Sequence, residues 1–460
     1  MVEGVLGKIV ANKTDELERR FDGVSLDALR SRAQPATRSL RDAIAGPGAR
    51  FILELKRASP SLGAIAPSAD PETVARAYAG VADAFSVLTD TRFFGGSIDD
   101  LRAARRQFKG PILAKDFFID PRQVAEARIA GADAILVMLS VLSDAVARRL
   151  IEEAGRLGMD ALVEVHDEAE MHRALALDAP IIGINNRDLR DLSINLSTTE
   201  RLAGLAPDRL LISESGIQDR NDVERLAPLV DGFLIGSSLM RSSDPAIAAR
   251  EVIFGRTKLC GLKSSADIRA ACPATHAGFV FVPDSPRHVA VDEAAPLTNL
   301  ARSMGIRTVG VFRNAKTNEV ADAAIALGLD AVQLHGDEKA NDVDELRRKL
   351  PEPAEIWTAV GVDRSIPRGR GGDRMLFDHR SGGTGRSFDW ALLAGHPDLS
   401  KALIAGGIGP QNAAAARSVG AYAIDVGSSL DSVPGRKCPN RIAGLFEALR
   451  PAARQALVRC

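Results

Sequence analysis

The sequence is poor in cysteine and aromatic residues, almost free of net charge, and has no long apolar run. Its four cysteines, Cys260, Cys272, Cys438 and Cys460, all fall in the second half of 460 residues. They form no disulfide framework, and no CxxC pair or Cys/His cluster has the spacing of a zinc site. Aromatics make up only 4% of the chain, which argues against stacking platforms for single-stranded nucleic acid. Lys+Arg number 59 against Asp+Glu 60, a net charge of -1. That balance argues against a nucleic-acid or membrane surface as the main partner, while leaving room for a local anion pocket. No run reaches the ~18 apolar residues of a membrane span. The opening segment, MVEGVLGKIVANKTDELERRF, carries charges every few residues where a signal peptide has an apolar core. A cytoplasmic protein is expected.

What is present is a folded composition, 45% hydrophobic and 26% charged, on a chain long enough for two or three domains. Eight short apolar runs occupy the first half: FILELK (51–56), AFSVLTD (84–90), PILAKDF (111–117), DAILVML (133–139), DALVEV (160–165), PIIGINN (180–186), RLLISES (209–215) and DGFLIG (231–236). They are rich in Ile, Val and Leu with little alternation, as in parallel strands buried on both faces. The stretches between them read as helices. DPETVARAYAG and DPRQVAEARIAGA each offer an Asp N-cap, a Pro at the first helical position and a Gly near the end. The second half repeats the count, from TKLCG (257–261) to AYAIDVG (421–427). Eight strand–helix units in ~250 residues is the arithmetic of a (β/α)8 barrel. The expected fold is α/β: two tandem (β/α)8 TIM barrels, residues 1–255 and 256–460, with an N-terminal helical extension on the first. The joint near 244–257 lacks Gly/Ser or Pro richness and reads as a helix running into the next strand.

In such a barrel chemistry gathers at the C-terminal strand ends. The first half ends its strands with Glu54 and Lys56, Lys115, Glu164, Asn185 and Arg187, Glu214 and Ser215, then Gly236 and Ser237. Each alone reads equally as part of a structural ion pair. Two lysines and three glutamates on one rim point instead to groups that tune each other's ionisation. SESGI (213–217), with Gly216, and IGSSLM (235–240) follow the seventh and eighth strands, where barrels bind phosphate. The second half has AGGIG (405–409), with Gly406 and Gly407, and DVGSS (425–429), with Asp425, Gly427 and Ser428, in the same places. SGGTG (381–385), with Gly382 and Gly383, adds a third Gly-rich loop. Cys260 and Asp378 end strands there and suit a base and an acid across a barrel mouth. Arg287 could grip a carboxylate, and His335 ends the fourth strand.

These motifs resemble two known families. ELKRASPS (54–61), LAKDF (113–117), LVEVH (162–166), INNRDL (184–189), SESGI and IGSSLM resemble indole-3-glycerol phosphate synthase. KLCGL (258–262), FVFVPDSPR (279–287), VGVFRN (309–314), VQLHG (332–336), SGGTGRSFDW (381–390), IAGGIGPQN (404–412) and DVGSSLDSVPG (425–435) resemble phosphoribosylanthranilate isomerase. Their order resembles the fused bifunctional enzyme of bacterial tryptophan biosynthesis.

The resemblance implies two consecutive reactions. In the isomerase half, Asp378 would protonate the furanose oxygen and Cys260 would take the C2′ proton. Arg287 would hold the anthranilate carboxylate, and Asp425 would face the sugar. The Gly382–Gly383, Gly406–Gly407 and Gly427–Ser428 loops would hold phosphate. In the synthase half, Lys115 would be the general acid, and Lys56 and Arg187 would position the carboxylate. Glu164, helped by Glu54, would act in dehydration, while Asn185, Glu214 and Ser215 would orient substrate hydroxyls and lysines. Ser59, Gly216, Gly236 and Ser237 would bind phosphate, with Phe94, Phe117, Leu136 and Leu189 as the apolar wall. No metal or cofactor is implied; the expected partners are small phosphorylated substrates, and the expected state is a monomer. Three positions depart from the isomerase pattern: Gly427, Asp431 and Cys438. They leave open a second reading, an active synthase barrel whose isomerase half is only a phosphate-binding or structural module. A third, a histidine-pathway type of phosphosugar isomerase with paired aspartates, fits the Lys/Glu set poorly.

Overall fold

The computed structural model describes residues 4–188, 191–379 and 386–454. Its first closed barrel is built from β1 (Arg50–Leu55), β2 (Ala84–Leu88), β3 (Ile112–Lys115), β4 (Ala134–Met138), β5 (Asp160–Val165), β6 (Ile181–Asn185), β7 (Leu210–Glu214) and β8 (Gly232–Ile235). All its pairings are parallel, and β1 closes the ring against both β2 and β8. The second barrel runs β9 (Thr257–Cys260), β10 (His276–Val280), β11 (Arg307–Phe312), β12 (Ala331–Leu334), β13 (Glu355–Val362), β14 (Arg374–His379), β15 (Leu403–Ile404) and β16 (Ala423–Val426). It closes through the parallel pair β9–β16. The tandem-barrel expectation is met in both halves, strand for strand.

The helices start and stop where local chemistry dictates. Asp70 accepts a bond from the Thr73 amide ahead of helix Pro71–Tyr78. Asp120 and Gln123 cap each other's backbone at the start of Pro121–Ala130, and Gly131 ends that helix at φ +106°, a conformation only glycine adopts freely. The last helix before the second barrel, Pro245–Phe254, runs almost directly into β9. The expected 255/256 division follows strand positions. Contacts instead divide the chain inside that helix, with Arg250 onward in the second unit as far as Arg450. Residues 451–454 belong with the first unit, not the second. The physical reason is local: Pro451 accepts from the Ala49 amide at 2.9 Å, and the Arg454 guanidinium meets Asp231 at 3.2 Å beneath the first barrel.

The N-terminal extension serves both ends of the first barrel. Helix α1 (Gly4–Arg20) brings Leu6 and Ile9 onto Phe117 at the mouth. Leu40 and Ile44, from the short helix Leu40–Ile44, plug the opposite end against Ile52, Leu113 and Ile181. Side chains alternate along a strand, so every second residue enters the barrel. Ile52 is therefore followed inward by Glu54 and Lys56, Leu113 by Lys115, Leu162 by Glu164, Ile181 by Gly183 and Asn185, and Ile212 by Glu214. An apolar floor with a charged rim results directly from this period.

Candidate active sites

At the first mouth, Lys115 Nζ lies 2.7 Å from Glu214 Oε2 and 3.5 Å from Glu54 Oε2. Lys56 Nζ lies 3.5 Å from Glu54 Oε1 and 5.8 Å from the Phe94 ring centre. Ser86 donates to Glu54 at 3.1 Å. Two glycines make room for these carboxylates. A Cβ at 183 would collide with Glu214 Oε1, and one at 236 would lie 2.7 Å from Glu54 Oε1. Burial opposes the ionisation of Glu54, but Lys115 and Lys56 outweigh it and hold the carboxyl below its ordinary range. Burial likewise opposes the Lys115 cation, and the three surrounding carboxylates, Glu214, Glu54 and Glu164, overcome it and push its pKa up. Lys56, with a single carboxylate beside it, is pulled down by burial. Glu214 is pushed up by burial and by Glu164 and Glu54, against the pull of Lys115. Three carboxylates share the Lys115 cation. Glu214 is then the rim carboxyl that first takes a proton as pH falls.

Glu164 has its own support. His166 Nε2 stands 3.3 Å from Glu164 Oε1, and His166 Nδ1 is 2.9 Å from Glu170 Oε2. Burial disfavours the imidazolium, yet the two glutamates raise its pKa to about 10. That cation and Lys115 in turn overcome the burial of Glu164 and hold it ionised.

Two adjoining cavities share this rim. One, about 780 Å³ including space open to solvent, has a lining that includes Lys56, Ser59, Phe94, Lys115, Phe117, Leu136, Glu164, Asn185, Arg187 and Ser215. The other, of about 570 Å³, repeats Lys56, Lys115, Arg187 and Ser215 and adds Glu54, Gly216, Gly236 and Ser237. One is bounded by aromatic rings and the other by glycine turns, with the lysines between. Ser215 and Gly216 both have positive φ, +64° and +87°, so the SESGI turn is held in a conformation ordinary residues avoid. The Asn186 amide fastens it by donating to the Glu214 and Ser215 carbonyls, each at 3.1 Å. Arg187 donates to the Leu192 carbonyl at 2.9 Å while facing both cavities.

The second mouth holds one cavity of about 910 Å³ whose lining includes Cys260, Arg287, His335, Asp378, Gly406, Gly407, Asp425, Gly427 and Ser428. His335 Nε2 lies 3.3 Å from Asp378 Oδ2, and the Gln333 amide is 2.9 Å from His335 Nδ1. The Asp378 carboxylate also accepts the His379 amide at 2.8 Å. Burial pushes the Cys260 thiol up, against Lys258 and Lys437. Arg287 is not free: Asp431 Oδ2 sits 2.8 Å from its Nη2 and 2.9 Å from its Nε. Asp431, one of the departures, is held in place by Lys437 Nζ at 2.7 Å.

The structure brings together every residue expected from the sequence except Leu189, Gly382 and Gly383, which lie outside the described residues. Glu214 takes its place through Lys115. Sequence reasoning passed over Leu6 and Ile9, His166, Lys258, Arg313 and Gln333. Period-two alternation was the available signal for three of them: Lys258 precedes Cys260, Gln333 precedes His335, and His166 follows Glu164 by two. Leu6 and Ile9 stand three apart, the spacing of one helix face. Among the described residues no group of three His, Cys, Asp or Glu could hold a metal ion, and no helix is long and apolar enough to cross a membrane.

Two (β/α)8 barrels, each with charged or nucleophilic strand ends beside glycine turns, define a pair of acid–base enzymes acting on phosphorylated small molecules. The family model "Indole-3-glycerol phosphate synthase" matches residues 6–252, and "N-(5'phosphoribosyl)anthranilate (PRA) isomerase" matches 257–448. The chain is 43% identical to the tryptophan biosynthesis protein TrpCF of Salmonella typhi, over 98% of this chain and 100% of that one. It is 44% identical to TrpCF of Vibrio cholerae, over 97% and 96%. The solved TrpF structure from Jonesia denitrificans is 31% identical, covers 42% of this chain and 96% of that one, and superposes with a TM-score of 0.38. The chain belongs to the TrpCF family of bifunctional tryptophan-biosynthesis enzymes. It carries phosphoribosylanthranilate isomerase and indole-3-glycerol phosphate synthase activities on small phosphorylated substrates.

Proposed function

We propose that the second barrel performs the isomerisation with Asp378 as acid and Cys260 as base, and that the first barrel performs the ring closure with Lys115 as general acid. The observation that carries this reading is shared by both mouths: groups able to give and take protons face a common space from different strands, with glycine turns at its edge.

In the isomerase, Asp378 protonates the furanose oxygen of N-(5-phosphoribosyl)anthranilate and the ring opens to a Schiff base. Cys260 removes the C2′ proton, and the enolamine relaxes to 1-(o-carboxyphenylamino)-1-deoxyribulose 5-phosphate. The acid and the base must stand on different sides of the sugar, and β14 and β9 supply that separation. Asp431 orients Arg287 toward the anthranilate carboxylate, and Asp425 meets a sugar hydroxyl. The Gly406–Gly407 and Gly427–Ser428 turns take the phosphate.

In the synthase, the Lys115 ammonium donates to the ketose carbonyl as the ring carbon attacks it. Lys56 and Arg187 hold the carboxylate until CO2 leaves and aromaticity returns. Glu164, with Glu54, moves protons as water departs. Asn185, Glu214 and Ser215 orient hydroxyls and lysines. Ser59, Gly216, Gly236 and Ser237 bind phosphate, and Phe94, Phe117 and Leu136 face the benzene ring. Electrostatic stabilisation by the fixed rim charges is the main catalytic resource.

The test uses purified protein and freshly prepared phosphoribosylanthranilate, following anthranilate-type fluorescence and indoleglycerol phosphate. Cys260→Ala should block only the first step and Lys115→Ala only the second. Wild type that accepts only the isomerised intermediate would overturn the isomerase reading. The balanced charge and the fusion of both barrels in one chain support a monomeric cytoplasmic enzyme without nucleic-acid partners. Light scattering tests the monomer, for which the expected mass is 48.9 kDa.

A further inference from the structure

Lys258 has no part in the chemistry above, yet it is 0% exposed and sits inside the second barrel. A lysine buried this deeply is costly unless an anion meets it. The anion is Asp425, whose Oδ2 is 2.8 Å from Lys258 Nζ. The strands dictate the pair: Lys258 on β9 is in register with Asp425 on β16, and both point inward. Two residues further along β9 the same parity delivers Cys260 to the layer above. On the other flank, Gly278 of β10 is in register with Cys260. A Cβ at 278 would lie 3.0 Å from Lys258 Cε and 3.3 Å from Cys260 Sγ. The absent side chain thus leaves a slot in which the lysine stem and the thiol lie side by side. Asp425 Oδ1 is buried and has no protein hydrogen-bond partner among the described residues, and Asp425 lines the substrate cavity.

We infer that Lys258 is a positioning residue of the isomerase: it fixes Asp425 with one oxygen left for the substrate and supplies the positive charge against which Cys260 ionises. This rests on the reading of Cys260 as the base. A general base of this kind acts only as thiolate, and burial without a cation would keep it protonated. Among the described residues the other charges around the thiol are few. Lys437, from the hairpin after β16, adds to Lys258, while Asp425 opposes both. His276, in register with Lys258, is held neutral, its pKa pushed down to about 3 by burial and neighbouring cations. Arg287 is neutralised by Asp431. Across the mouth stand Arg313 and the His335–Asp378 pair.

The experiment is run in the full-length chain with Cys272, Cys438 and Cys460 replaced by Ser, leaving Cys260 as the sole thiol. Iodoacetamide alkylation rate and isomerase kcat/KM are each followed from about pH 5 to about pH 11. Lys258→Met should move the alkylation midpoint and the acidic limb of kcat/KM upward by about 1–3 pH units, because thiolate loses its cation. Near neutrality that is a loss of about 10- to 1000-fold in rate, tenfold per unit. Lys258→Arg should keep the midpoint within about half a unit. Asp425→Asn should move it downward, whatever it does to the height of the profile. A structural role has no reason to produce shifts of opposite sign. A uniform fall across pH with an unmoved alkylation midpoint overturns the proposal, as do shifts of the same sign in Lys258→Met and Asp425→Asn. If circular dichroism finds Lys258→Met unfolded, the Asp425→Asn midpoint decides: downward supports, unmoved overturns. Failure of the underlying reading looks different, since Cys260→Ser would then keep wild-type isomerase kcat.

Discussion

Inside the first barrel the inward residues are apolar for the depth of the strands, Ile52, Leu113, Leu162, Ile181 and Ile212, and charge begins only at the mouth. There three carboxylates, two lysines and His166 compensate one another. In the second barrel charge reaches one layer deeper, with Lys258 and Asp425 beneath Cys260, and at the mouth the described ion pairs, His335–Asp378 and Arg287–Asp431–Lys437, do not share one network as those of the first mouth do. The difference follows the chemistry each mouth performs. A decarboxylating ring closure needs fixed cations and several proton carriers around one substrate, and a crowded rim provides them. On the proposed reading, the rearrangement uses one acid, Asp378, and one base, Cys260, with Lys258 in the layer beneath the base.

The comparison is sharpest in reciprocal loss. Lys115→Ala should lower synthase kcat by about 10²–10⁴-fold with isomerase intact, and Cys260→Ala the reverse. Coupled loss of both activities in either variant would break the idea of two independent chemistries. Next in size is Lys13→Met. Lys13 Nζ is buried 2.9 Å from Asp116 Oδ1 and 3.1 Å from Asp90 Oδ2, tying α1 to the loops of the first mouth. Two uncompensated carboxylates should destabilise the first barrel by about 3–5 kcal/mol, measured by denaturant unfolding. Gly183→Ala should cost the synthase about tenfold to a hundredfold in kcat by displacing Glu214, with the isomerase rate as control.

Asp431→Asn should loosen Arg287 and raise isomerase KM several-fold with kcat little changed. An unchanged KM would mean that the ion pair does not orient the substrate carboxylate. The smallest effect concerns pH. His166 has a folded pKa raised to about 10, so its stabilisation is complete below the unfolded value near 6.5 and is lost as pH rises through about 10. Melting curves of wild type and His166→Gln should differ most at mildly acidic pH and converge in strong alkali.

Much of this was legible in the primary structure. Sixteen apolar runs announced sixteen parallel strands, since a strand buried on both faces has no polar alternation to disguise it. Glu54, Lys115, Glu164 and Glu214 were legible because charge at the end of an apolar run is expensive and therefore meaningful. Residues whose role depends on a partner far along the chain were not. His166 matters through Glu164 and Glu170, Lys258 through an aspartate 167 positions away, and Arg287 through one 144 positions away. Leu6 and Ile9 looked like ordinary helix residues until α1 was laid across the mouth.

Local pattern sufficed for the two barrels, the strand that bears each functional group and, through the period of two, which groups face inward, because these follow from burial and backbone geometry within a few residues. Which charges compensate which, which glycines make room for Glu54, Glu214 and Cys260, and where Pro451–Arg454 pack came from the three-dimensional arrangement. Those outcomes depend on distances of a few ångströms between segments far apart in sequence, and no local pattern encodes them.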